Sequence, residues 1–109
     1  MSLPPLDNLV RAGQLKMEAR NELEITRMLA MARARLADAR LVHVSAEGRF
    51  MSAYTAGHAA ALAALRWHGY RSESRFTVFQ CLTHTLGWSA SQWRVLDAAR
   101  SEEHTSELQ

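Results

Sequence analysis

Arg49-Phe-Met-Ser-Ala-Tyr-Thr-Ala-Gly-His-Ala-Ala-Ala-Leu-Ala-Ala-Leu-Arg-Trp-His68 is the stretch whose reading decides the fold. Phe50, Tyr54, Gly57, Ala61, Leu62 and Leu65 keep the three-to-four-residue spacing that gathers side chains on one face of an α-helix. Gly57 and the alanine runs at 59–61 and 63–64 carry little bulk, so a neighbouring helix can come close. Gly69 stands where a left-handed residue ends a helix. The spacing therefore predicts a helix over residues 49–68 that packs tightly against another.

Outward from that helix the pattern stays helical. Asn21-x-x-Glu24 has the form of a capping box, with an acceptor at the N-cap and a carboxylate among the unpaired amides. The stripe Ile25, Met28, Leu29, Ala32, Leu36, Ala39 predicts an amphipathic helix over residues 22–42, with Arg33, Arg35 and Arg40 near its C-terminal end. Ser45-Ala-Glu-Gly48 reads as a connector or the first turn of the next helix. After the loop Tyr70-Arg-Ser-Glu-Ser74, a third helix over residues 75–86 is expected to bury Phe76, Phe79, Leu82 and Leu86, with Gly87 as its stop. Ser89 or Ser91 caps a fourth helix, whose stripe begins at Trp93, Leu96 and Ala99. Both prolines fall in the first five residues, and nothing later alternates as a strand does. The expected architecture is all-α: an antiparallel up-and-down helical bundle whose last helix is incomplete. Residues 1–20 read as a lead-in, with a short turn of helix around Leu6–Leu15, and residues 21–99 as the helical domain.

Composition narrows the function classes. The chain has 109 residues, 48% hydrophobic and 22% charged, which fits one folded domain. No apolar run reaches membrane-spanning length, and the opening Met-Ser-Leu-Pro-Pro-Leu-Asp lacks the basic and apolar regions of a secretory signal. The single Cys81 excludes an internal disulfide and fits a reducing cytoplasm. His43, His58, His68 and His84 never pair at helical spacing with each other, so no metal site and no cofactor is expected. His58 and His84 read as core or boundary residues. Cys81 and His84 share a turn, yet a cysteine inside an apolar stripe reads first as a buried small residue.

The corner Arg66-Trp-His-Gly-Tyr-Arg-Ser-Glu-Ser-Arg75 holds the richest local chemistry. Arg66, His68, Tyr70, Arg71 and Arg75 are the candidate nucleic-acid contacts, because cations alternating with aromatics can hold phosphates and stack bases. The competing reading packs Trp67 and Tyr70 on the bundle end and leaves the arginines solvated. No glycine-rich phosphate loop, nucleophile elbow or carboxylate pair occurs, and no catalytic residue is assigned.

Two resemblances complete the reading. Phe50-Met-Ser-Ala-Tyr54, Ala63-Ala-Leu-Arg-Trp-His-Gly-Tyr-Arg71, Arg75-Phe-Thr-Val-Phe-Gln-Cys-Leu-Thr-His-Thr-Leu-Gly87 and Trp93-Arg-Val-Leu-Asp97 resemble small bacterial proteins of the HEPN type. That resemblance implies a helical homodimer associated with RNA or nucleotides, in a toxin–antitoxin or defence setting. It also implies a nucleotidyltransferase or antitoxin partner. The family's Arg-x4–6-His motif is expected directly after Asp97-Ala-Ala-Arg100. There the chain instead reads Arg100-Ser-Glu-Glu-His-Thr-Ser-Glu-Leu-Gln109, which resembles the in-frame translation of a sequencing-library adapter.

Composition breaks at the same point: residues 1–99 hold eighteen alanines and the last ten hold none. Without residues 101–109 the charge changes from +2 to +5, with 13 basic residues against 8 acidic ones. The expectation is that residues 100–109 are not native and the natural chain continues differently after Ala99 or Arg100. Arg100-x-x-x-His104 is then no catalytic motif, and Trp93 and Leu96 are expected to border an uncovered apolar groove.

Overall fold

In the computed structural model the described residues are 3–108, with side chains described through residue 100. The order is α1 (Pro4–Arg11), β1 (Lys16–Met17), α2 (Glu22–Ala39), α3 (Ala46–Trp67), β2 (Tyr70–Arg71), α4 (Arg75–Gln80), α5 (Leu82–Thr85) and α6 (Ala90–Leu108). Helical structure dominates, as the spacing predicted. The helix starts are set by short polar side chains. Asn21 accepts from the Glu24 amide at 3.0 Å, Ser45 from Gly48 at 3.0 Å and Ser74 from Thr77 at 3.3 Å. Only half of the predicted box at α2 forms, because the Glu24 carboxylate is engaged by Arg66 and Arg71.

α3 is the axis of the molecule. It packs against α2 on one side and against α4, α5 and α6 on the other. Residues near the end of α3 meet the start of α2 through Arg66 and Glu24, and Arg49 Nε donates to the Ala39 carbonyl at the opposite end at 2.9 Å. α2 and α3 are therefore antiparallel. Gly57 is where α6 comes closest: a Cβ there would stand 3.0 Å from a Leu96 methyl. The core unites Tyr54, Ala61 and Leu65 of α3 with Val78, Phe79, Cys81, Leu82 and Trp93.

Four expectations change. First, the opening residues belong to the core, since Leu6 and Leu15 are buried within it. Second, a strand pair exists: Lys16 pairs with Arg71 and Met17 with Tyr70 in antiparallel register. Two residues per strand are too few for alternation to register in a sequence. Third, the helix expected over 75–86 is interrupted at Cys81, and Phe76 and Leu86 stay exposed while Phe79 and Leu82 fill the core. Fourth, Trp93, expected at the border of an uncovered groove, is itself buried, with its ring edge-on to Phe76 at 5.7 Å.

The stripe expected on α2 is also thinner than its spacing implied. Ile25 is buried and Met28, Ala32 and Ala39 half-buried, but Leu29 and Leu36 are exposed. α2 packs chiefly on α3 and has no second helix to cover it. Among the described residues no helix is long and apolar enough to cross a membrane.

Candidate functional site

The basic corner is built where α3 ends. Gly69, at φ +89°, turns the chain from α3 into β2, and its carbonyl accepts from the Glu18 amide of the β1 side at 3.0 Å. This brings residues 16–20 against residues 66–71. The five candidate side chains do not form one surface there.

Arg66 is completely buried. Its Nε donates to Glu24 Oε1 at 2.7 Å, and its Nη1 to the carbonyls of Glu18 at 2.8 Å and Tyr70 at 3.3 Å. Its Nη2 donates to the Ala19 carbonyl at 2.7 Å and stands 3.4 Å from the Glu18 carboxylate. A guanidinium has five N–H donors, so this set of acceptors leaves none for a phosphate. Arg71 completes a four-membered ring of alternating charge, with its Nε on Glu18 at 2.7 Å and its Nη2 on Glu24. The hydrogen bond from Arg66, seconded by Arg71, holds the Glu24 carboxyl below its usual range against the opposing effect of burial.

Tyr70 is also fully buried. Its hydroxyl donates to Asp7 at 2.5 Å and accepts from the Leu3 amide at 3.1 Å, which fastens α1 to the corner. Burial raises its pKa, as does the hydrogen bond to Asp7. Arg75 is exposed and donates to the Tyr54 hydroxyl at 3.2 Å. His68 is half-buried, and desolvation lowers its pKa, which favours the neutral imidazole at pH 7. The nucleic-acid reading is corrected at Arg66 and Tyr70, and the competing reading, which has Tyr70 packed as it is, is corrected at Arg66. Arg66 is neither solvated nor open to RNA, and Tyr70 is a fastener with no face available for stacking.

An open cleft of about 650 Å³ remains beside the corner, between residues 17–20 and 67–70. Trp67 is half-exposed there beneath the Arg20 guanidinium, 4.0 Å from the ring centroid. Around the cleft Arg20, Arg66 and Arg71 face Glu18, Glu22 and Glu24, and the charges cancel. No surplus positive field draws an anion in.

The remaining candidates separate as follows. Burial pushes the Cys81 thiol up to about 11, so it is protonated at neutral pH and His84, exposed on the next turn, does not activate it. His84 is thus a surface residue, contrary to the core or boundary position expected. His58 is half-buried with its ring edge-on to Phe79 at 5.9 Å. Among the described residues no group of His, Cys, Asp or Glu could hold a metal ion. The side chain of His104 and the rest of the adapter-like tail after Arg100 lie outside the described side chains.

The surface with the least explanation inside the chain is the outer side of α2. Leu23 is 59% exposed and Met31 45%, and Val42, just past the helix, is 86% exposed. Leu29 and Leu36 are exposed on the opposite flank of the helix, beside its inward face, and a shallow groove lined by Asn21, Leu23, Glu24, Arg27, Met28 and Met31 lies along its first half. Sequence periodicity assigned α2 one inward stripe and passed over the second. The signal was present in Leu23, Ala30, Met31, Ala34 and Ala37, which share the side away from α3 with Arg27 and Asp38. No protein-family model, no curated protein and no solved structure matches this chain.

Proposed function

We propose that this chain is a helical protein–protein association module that works as a homodimer through the outer face of α2. The supporting observation is the exposure of Leu23 and Met31, with Ala30, Ala34 and Ala37 beside them, on the side of α2 turned from α3. Apolar side chains gathered on one exposed face mark an association surface in a folded protein, whereas single exposed residues do not. The RNA-associated reading, with a nucleotidyltransferase or antitoxin partner, follows from the HEPN resemblance. It draws less support, because Arg66 and Tyr70 are enclosed and the neighbouring cleft carries balanced charge.

The test is sedimentation velocity across a concentration series. The chain is expected to shift from monomer to dimer as concentration rises. Met31→Glu, which sets a charge in the centre of the exposed series, is expected to keep it monomeric with unchanged helicity. A chain that stays monomeric at millimolar concentration, or a Met31→Glu variant that dimerises as the parent does, overturns the reading.

A further inference from the structure

Resting on that association reading, we infer that the two copies of α2 pack antiparallel in one register, in which Arg27 of each copy meets Asp38 of the other. The inference starts from helical geometry. Leu23, Arg27, Met31, Ala34 and Asp38 follow at intervals of four, four, three and four, and at 100° per residue they occupy a single stripe roughly 80° wide. Leu23, Arg27, Met31 and Ala34 are exposed, and the Asp38 side chain is 42% exposed.

The stripe is complementary to itself when reversed. A two-fold axis between positions 32 and 33 sets Arg27 opposite Asp38 and Met31 opposite Ala34, with Leu23 of each copy toward an end. At the centre a long side chain faces a short one. The flanking Ala30 and Ala37 are exposed and small enough for two backbones to approach. Outside the centre the opposite charges pair twice, and Leu23 of each copy lies beyond them.

Other arrangements are worse on the same residues. A parallel pair sets Arg27 on Arg27 and Asp38 on Asp38, which repel. Slipping the antiparallel pair by one turn sets Asp38 opposite Leu23 in one direction and opposite Met31 in the other. Within the monomer Arg27 makes no ion pair among the described residues. Asp38 is held only by Arg35 among them, at 3.4 Å and with both side chains nearly half exposed. A carboxylate has acceptor sites enough for a second guanidinium. A single helix pair is small for a specific interface, so dimerisation at micromolar concentration is expected.

The experiment uses the full chain and two charge reversals, Arg27→Asp and Asp38→Arg. Both change surface side chains, and circular dichroism checks that helicity is retained. Each variant alone is expected to self-associate at least tenfold more weakly than the parent, because like charges then face each other twice. An equimolar mixture of the two is expected to restore dimers. In the mixed pair, both carboxylates of the Arg27→Asp copy face both guanidiniums of the Asp38→Arg copy across the axis. If the parent dimerises but the mixture does not, the register is wrong while the association reading stands. If the parent does not dimerise at all, the association reading fails and the register with it.

Discussion

The two long sides of α2 are built on opposite terms. Toward α3, a single arginine is enclosed by five acceptors drawn from three separate parts of the chain. Away from α3, Leu23 and Met31 face solvent, with none of the described residues covering them. The inner side is determined many times over, and the outer side is left for something else to determine. Charge follows the same division. The joint neutralises Arg66 and Arg71 with Glu18 and Glu24, whereas Arg27 on the outer side has no counterpart among the described residues of its own chain. A side chain that is satisfied at home serves the fold, and one that is not is available for association.

The largest effect is expected from breaking the joint. Replacing a buried ion pair with apolar residues of similar size is often neutral, provided the ions served only each other. Arg66 serves more than its carboxylates. Arg66→Met strips the donor from the carbonyls of Glu18, Ala19 and Tyr70, at about 1–3 kcal/mol for each one sealed from water. A loss of about 3–5 kcal/mol is expected in urea denaturation, a large part of the stability of a domain this size. A loss under about 1 kcal/mol would show that the joint orders the corner without stabilising it.

Acid tests the same joint more gently. The folded-state pKa of Glu24 lies below its ordinary value of 4.5, with the Arg66 hydrogen bond the first cause. The unfolded chain therefore binds a proton at a higher pH than the folded one does. The resulting stabilisation is complete above pH 4.5 and is lost as pH falls through the lower folded value. The urea midpoint is expected to drop through this window, and Glu24→Gln is expected to flatten that part of the drop while lowering the plateau above it. An unaltered acid profile in Glu24→Gln would assign the drop to other carboxylates.

The legibility of the molecule divides in a similar way. The start of α2 could be read because its cause is local: Asn21 caps an amide three residues on, and Ser45 and Ser74, not read as caps, do the same at α3 and α4. The left-handed turn at Gly69 is equally local. The burial of Arg66 could not be read, because its carboxylate partner is 42 residues away and an unpaired arginine belongs outside. Tyr70 reads as a bundle-end residue, but the partner of its hydroxyl does not show, because Asp7 comes from a segment that reads as a lead-in. The break at Cys81 has no glycine or proline to announce it. On α2, periodicity picked out the inward face correctly at Ile25, but it carries no information on whether a second apolar face is covered. That depends on how many neighbours the fold supplies.

The smallest effect on the isolated chain, and the one that separates the two sides of α2 most directly, is expected from Leu23→Ser combined with Met31→Ser. Both side chains already meet water in the monomer, so truncating them should change its stability by no more than about 0.5 kcal/mol. Association changes the comparison. A partner that binds only the folded state raises the apparent stability with concentration. The parent chain should therefore melt at a higher temperature as it is concentrated, while the double variant melts at one temperature throughout. At high dilution the two melting curves should coincide. If the variant is strongly destabilised even when dilute, Leu23 and Met31 contribute to the monomer's own packing, and the contrast between a closed inner side and an open outer side is lost.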